Sequence, residues 1–187
     1  MIKIGITGSL GSGKSTVSKL ISEKKYPLFS ADKAVKEVYK TFIFKKKIKK
    51  IFKLKKTINL KFQLKNIIKK NNKNLEKIER IIHPIVRKKM FSFLLNKTKK
   101  EKIICEIPLL IESKLMKYFD IIIFVRTRKK LRKKRNIKEK KKEALFEILD
   151  KKQIKPEVKI KFCDFVINNN KSLKELKKNV KIINNKI

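Results

Sequence analysis

The 187-residue sequence has no tryptophan, one histidine, two cysteines, and only four glycines and four prolines. Each shortage excludes something. Cys105 and Cys163 lie far apart and cannot build a disulfide framework or a four-ligand zinc site, so a reducing, cytoplasmic setting is expected. No run of about 18 apolar residues occurs, so neither a spanning helix nor a membrane partner is expected. The opening Met1-Ile2-Lys3-Ile4-Gly5 is too short and too soon interrupted for a secretory signal. Without Trp or an interleaved aromatic platform, the chain lacks the stacking surface that binds single-stranded nucleic acid.

Acidic residues are scarce as well: 16 Asp and Glu stand against 55 Lys and Arg, a formal charge of +39. Taken alone, that balance suggests a polyanionic partner. The cationic residues are nearly all lysine, however, and the only arginines are Arg80, Arg87, Arg126, Arg128, Arg132 and Arg135. Lys, Ile and Asn share A/T-rich codons, so compositional drift accounts for the excess. A surface selected to read nucleic acid would use more of the planar guanidinium fork. General anion affinity follows from the charge, but no specific nucleic-acid partner is expected. With 41% apolar residues, a chain of this length suits a single domain with a modest insertion, hiding about 70% of its unfolded surface.

What glycine there is lies at positions 5, 8, 11 and 13, with none afterwards. Helix ends and turns elsewhere must therefore use Asn and Lys where Gly is the easy solution. Ile2 to Thr7 reads as a buried strand, and Val17, Leu20 and Ile21 recur at helical spacing from Lys14 to about Lys24. Between them, Gly8-Ser9-Leu10-Gly11-Ser12-Gly13-Lys14-Ser15 matches G-x-x-x-x-G-K-[ST] in full. Such a loop wraps an anion with backbone N–H groups, aims the positive end of the next helix at phosphates, and leaves no room for side chains. In that geometry Gly11, Ser12, Gly13, Lys14, Ser15 and Thr16 hold ATP. Lys14 reaches the β- and γ-phosphates, and the Ser15 hydroxyl faces Mg²⁺.

The rest of the chain alternates strands with helices, the pattern of an α/β fold with a parallel sheet of five strands. A second strand over Tyr26 to Phe29 ends at Ser30-Ala31-Asp32, before a helix carrying Val35, Val38 and Tyr39. Residues 41 to 100 read as an all-helical insertion, with a break at His83-Pro84 and a new helix after it. Further strands are expected over Lys102 to Ile107, Asp120 to Val125 and Phe162 to Ile167. A helix through Leu145, Ile148 and Leu149 follows the cationic stretch, and a last one carries Leu173, Leu176, Val180 and Ile183.

Asp32 follows a strand end, where a parallel sheet binds ligands; it suits a base for an attacking hydroxyl or an N-cap for the next helix. His83, the only histidine, is placed for local packing as readily as for chemistry. Glu106 and Glu112 are candidates for the magnesium shell or the substrate. Arg126, Arg128, Arg132 and Arg135 cluster in one segment, which reads as a lid over ATP at about 126–150 or as a solvated basic helix.

Several blocks in this order resemble the dephospho-CoA kinase family over nearly the whole chain. Ile6 to Val17 is similar to its opening loop, and Ser30-Ala31-Asp32 to its Asp-Ala-Asp signature. Ile82-His83-Pro84-Ile85-Val86-Arg87 resembles its His-Pro segment, and Glu106-Ile107-Pro108-Leu109-Leu110-Ile111-Glu112 its Pro-Leu-Leu-Phe-Glu block. Asp164 to Asn169 resembles its final strand. Two positions depart: Ser30 replaces the first Asp of the signature, and Leu149 stands where the family's lid carries an Arg before the Gln matched by Gln153. The resemblance implies a P-loop kinase fold and transfer of the ATP γ-phosphate to the ribose 3′-hydroxyl of dephospho-CoA. It makes Asp32 the base, with Lys14 and Arg135 on the transferring group and Asp32, His83 and Arg87 on the acceptor. The insertion at 41–100 then helps to bind that acceptor, and the protein is expected to work as a monomer. The alternatives are another P-loop kinase acting on a nucleoside or nucleotide, and a basic nucleic-acid-binding ATPase.

Overall fold

The computed structural model describes residues 1–55, 59–71, 73–97, 100–138 and 143–187. It divides into two compact units, one formed by Met1–Ser30 with Leu94–Ile187 and the other by Ala31–Phe93. Positions 56–58, 72 and 98–99 of the expected insertion, and 139–142 of the expected lid, lie outside the described residues.

The first unit is built on a parallel sheet of five strands: β1 (Ile2–Gly8), β2 (Leu28–Ser30), β3 (Lys102–Glu106), β4 (Ile121–Arg126) and β5 (Phe165–Asn168). Their spatial order is β2-β3-β1-β4-β5. The expected five-stranded parallel α/β architecture is present. Ile4 and Ile6 of β1 lie fully buried with Ile104, Ile123, Val125 and Ile167 of the neighbouring strands. Apolar runs such as Ile121-Ile122-Ile123-Phe124-Val125 are what a sheet covered on both faces requires. Helices α1 (Lys14–Ser22) and α9 (Leu173–Asn184) bring Val17, Ile21, Leu176 and Val180 to the same core. Each such buried side chain contributes about 1.5–3 kcal/mol from water exclusion. Ser172 caps α9, its hydroxyl accepting from the Glu175 N–H.

The second unit holds α2 (Ala31–Val38), α3 (Phe42–Ile51), α4 (Leu60–Lys70) and most of α5 (Lys73–Leu95). Val38, Phe44, Ile48, Leu64, Ile78 and Ile82 form its core. The break expected at His83-Pro84 does not occur: α5 runs unbroken through Pro84. A proline inside a helix costs about 3 kcal/mol, and burial on both sides of it meets that cost here. Ile78 and Ile82 before Pro84, and Met90 and Leu94 after it, are all buried. Pro84 itself is on the exposed face, as is Arg80, whose carbonyl loses its usual N–H partner.

Two further expectations need correction. The fifth strand starts at Phe165, not Phe162, because a short helix, α8 (Pro156–Ile160), precedes it. The N–H groups of Phe162 and Cys163 close the end of α8 by donating to Lys159 O and Ile160 O, so they cannot join the ladder. Pro156 opens α8 at a position where its missing N–H costs nothing. The helix over Leu145, Ile148 and Leu149 is α7 (Glu143–Lys151), and the cationic stretch before it is itself a helix, α6 (Lys129–Lys138). Among the described residues, left-handed backbone positions outside the glycines fall to Glu23, Lys24, Lys53 and Lys114, and Asn takes none of them. Among the described residues, no helix is long and apolar enough to cross a membrane.

Candidate active site

β1 runs directly into the glycine loop, and α1 starts at Lys14. Gly11 and Gly13 have φ of 74° and 90°, and both lack space for a side chain. A Cβ on Gly11 would sit 2.8 Å from the Arg132 carbonyl oxygen, and one on Gly13 only 2.3 Å from Asn169 Nδ2. Side chains are excluded because other backbone and side-chain groups press against the loop from outside. The Ser12 N–H donates to Ser9 O at 3.1 Å, closing a turn in the loop. The positive end of α1 therefore opens at Gly13-Lys14, where an anion would be held.

Lys14 folds back over this loop and is 7% exposed. Its ammonium donates to Gly8 O and Ser9 O, both at 3.0 Å. Ser15 and Thr16 follow in the first turn of α1, both exposed. The Ser15 hydroxyl donates to Glu106 Oε1 at 2.5 Å. Glu106 is the last residue of β3, paired in register with Ile6 of β1, and is 3% exposed. Parallel pairing thus brings a carboxylate from the carboxyl end of one strand to the hydroxyl that begins the helix after its neighbour.

Among the described residues, no group of three His, Cys, Asp or Glu side chains could hold a metal ion. A Ser hydroxyl beside a carboxylate is nonetheless what Mg²⁺ uses in a nucleotide site. This ion takes hard oxygen ligands, keeps several waters, and completes its shell with substrate phosphates. The donor set at Ser15 and Glu106 fits it. Glu112 serves elsewhere: its Oε1 accepts from Lys159 Nζ at 2.6 Å and from the Ile154 N–H at 3.1 Å.

The arginines of the cationic segment separate into different roles. Arg132 is buried; its Nη1 donates to Asp150 Oδ1 at 2.5 Å and to Leu10 O at 3.2 Å, and its guanidinium lies over the Phe146 ring. Gln153 Oε1 accepts from the Leu10 N–H at 2.9 Å. Both backbone groups of Leu10 are therefore held by residues from α6 and from just beyond α7. Arg135 instead meets oxygen dipoles among the described residues, donating to Ser12 O at 3.5 Å and to Asn169 O at 3.1 Å. Among the described residues no carboxylate neutralises it. Arg126 and Arg128 are exposed.

The remaining predicted residues lie in the helical unit. Asp32 is exposed in the first turn of α2, two positions beyond the end of β2. It sits inside the helix rather than at its N-cap, so the capping role considered for it is not the one it has. His83 and Arg87 are one turn apart on α5 and both exposed, which puts them on one helix face. The two thiols are excluded as nucleophiles. Burial pushes Cys105 up to about 12 and Cys163 up to about 11, so neither forms thiolate near neutrality.

Thr127 and Asn169 were invisible to sequence reasoning. They stand one residue past β4 and β5 and bond the loop from behind, and nothing in their residue types announces it. Glu106 had a signal, its place at a strand end, but its pairing with Ser15 depends on the sheet register.

Residues 2–175 match the family model described as dephospho-CoA kinase. A dephospho-CoA kinase of Rickettsia typhi is 32% identical over 191 aligned positions, covering 99% of this chain and 97% of that protein. One from Fusobacterium nucleatum is 37% identical, covering 95% of this chain and 94% of its own length. Among solved structures, TT1252 from Thermus thermophilus superposes with a TM-score of 0.78 at 25% identity, covering 100% of this chain and 97% of that one. A shikimate kinase from Acinetobacter baumannii shares the fold alone, with a TM-score of 0.59 at 15% identity over 100% of this chain and 96% of its own.

Proposed function

The chain belongs to the dephospho-CoA kinase family, and on that premise we propose how its residues divide the ATP-dependent phosphorylation of dephospho-CoA among them. The loop from Gly11 to Thr16 binds the ATP phosphates through its N–H groups and the positive end of α1. Lys14, already turned over the loop, exchanges its carbonyl partners for phosphate oxygens and offsets their charge. Arg135 joins it on the transferring phosphoryl group. What supports Arg135 over its neighbours is its contact with the loop at Ser12, with no carboxylate paired to it among the described residues, whereas Arg132 is already paired with Asp150.

Ser15 and Glu106 are the residues that would hold Mg²⁺, which when bound draws charge from the phosphates and orients them. Asp32 accepts the proton of the ribose 3′-hydroxyl as that oxygen attacks the γ-phosphorus in line; the bond to the ADP oxygen breaks and no covalent enzyme intermediate forms. His83 and Arg87, with the helical segment at 41–100, bind the acceptor. The assignment of Asp32, His83 and Arg87 rests on the resemblance of their segments to the family's. The protein works as a cytoplasmic monomer on these two small substrates, with no specific nucleic-acid partner.

The observation that carries this reading is the contact between Ser15 and Glu106 at the head of a complete phosphate loop, in a chain whose residues 2–175 match the family model. The test is incubation with Mg-ATP and a panel of dephospho-CoA, nucleosides and nucleoside monophosphates. Coenzyme A formed from dephospho-CoA alone is the expected result. Transfer to a nucleoside instead would keep the loop assignment and overturn the acceptor.

A further inference from the structure

Ser12 is completely buried, and side chains from three positions converge on its carbonyl oxygen. Thr127 Oγ1 donates to it at 2.9 Å, Asn169 Nδ2 at 2.8 Å, and Arg135 Nη1 approaches at 3.5 Å. The two short bonds occupy both lone pairs of that oxygen. Thr127 and Asn169 are themselves buried, 9% and 6% exposed, and are tied together because Thr127 Oγ1 also lies 3.3 Å from Asn169 O. Their placement follows from the sheet. Arg126 pairs with Asn168 at the end of the β4–β5 ladder, and the Asn169 N–H donates to Arg126 O, so the next residue of each strand arrives at the same point behind the loop.

The consequence lies on the other side of the peptide. The bond between Ser12 and Gly13 is trans, so the Ser12 C=O and the Gly13 N–H point in opposite directions. Fixing the carbonyl toward Thr127 and Asn169 therefore aims the Gly13 N–H away from them. Among the described residues that N–H donates to no protein acceptor. Gly13 cannot be replaced without striking Asn169 Nδ2, so the same side chain sets both the identity and the orientation of this residue. We propose that Thr127 and Asn169 are positioning residues that lock the Ser12–Gly13 peptide with its N–H turned toward the ATP phosphates. Neither touches substrate; they act through Gly13. The inference rests on the reading of the loop as the phosphate site.

The four glycines make the test direct. With ¹⁵N-glycine and carbonyl-¹³C-serine, only Gly13 follows a serine, so its amide resonance is identified without further assignment. Inorganic pyrophosphate added to the wild type should move the Gly13 amide proton downfield while Gly5, within β1, stays in place. Asn169→Leu and Thr127→Val each remove one donor without adding charge. Each should shrink the Gly13 shift, weaken pyrophosphate binding roughly tenfold, and raise the KM for ATP similarly while the KM for dephospho-CoA stays constant. Thr127→Ser, which keeps the hydroxyl, should restore all three. A full Gly13 shift with pyrophosphate affinity within about twofold of wild type in both variants would overturn the proposal. A wild-type Gly13 that ignores pyrophosphate would overturn the phosphate reading of the loop itself, a distinguishable failure.

Discussion

The hydroxyl of Ser15 donates to Glu106 Oε1 at 2.5 Å, joining the first turn of α1 to the carboxyl end of β3. Ser15 is exposed and Glu106 is not, so the pair forms a hard-oxygen corner with one side open to solvent.

Removing either oxygen should raise the Mg²⁺ requirement. Ser15→Ala and Glu106→Gln should each shift half-saturating Mg²⁺ upward at least about tenfold and lower kcat by about 10²-fold or more. Turnover measured across a Mg²⁺ series at saturating ATP checks this. A Glu106→Gln enzyme with the wild-type Mg²⁺ curve would reduce Glu106 to a hydrogen-bond partner of Ser15.

Asp32 gives a sharper kinetic test because it is exposed and outside the nucleotide loop. Asp32→Asn keeps the shape and removes the basic oxygen, so it should lower kcat by about 10²–10⁴-fold while moving the KM for ATP little. An unchanged kcat would leave the carboxylate with no more than a favourable charge in the first turn of α2.

Much of this was legible because the composition is so skewed. In a chain that keeps glycine only up to residue 13, the spacing of Gly8, Gly13, Lys14 and Ser15 identifies the loop, and continuous apolar runs identify buried strands. What failed depended on competition between local signals and distant contacts. Pro84 carries a breaker's signal, but burial of Ile82 and Met90 on either side outweighs it. Phe162-Cys163 reads as strand because it is apolar, yet the turn closing α8 uses its N–H groups. Thr127 and Asn169, and the pairing of Glu106 with Ser15, depend on register between strands far apart in sequence, which no local pattern carries. The cationic cluster showed that arginines mattered, and only the neighbours of Arg132 and Arg135 separated a side chain paired with a carboxylate from one held by carbonyl oxygens among the described residues.

The +39 charge makes a separate prediction about nucleic acid. Affinity arising from lysine excess alone should be weak, indifferent to sequence and steeply salt-dependent. Fluorescence anisotropy with a mixed-sequence duplex and a single strand should show binding at about 20 mM salt that is gone by about 150 mM. Tight binding that survives physiological salt and prefers one sequence would instead revive a nucleic-acid role for the chain.

The buried ion pair of Lys159 and Glu112 makes a prediction about stability. Lys159 is 0% exposed and its ammonium donates to Glu112 Oε1 at 2.6 Å, while Glu112 Oε2 is buried without a hydrogen bond among the described residues. Lys159→Met removes the cation and leaves a desolvated carboxylate whose remaining hydrogen bond among the described residues is from the Ile154 N–H. Breaking one side of such a pair costs about 3–5 kcal/mol, a fall in Tm on the order of 10 °C for a chain of this size. Replacing both partners should recover much of that loss, because the penalty belongs to the stranded charge rather than to the missing attraction. Thermal unfolding of Lys159→Met and of the double variant with Glu112→Gln measures the difference. Equal Tm values for the two would show that Lys159 contributes through its packed methylene stem and not through its charge.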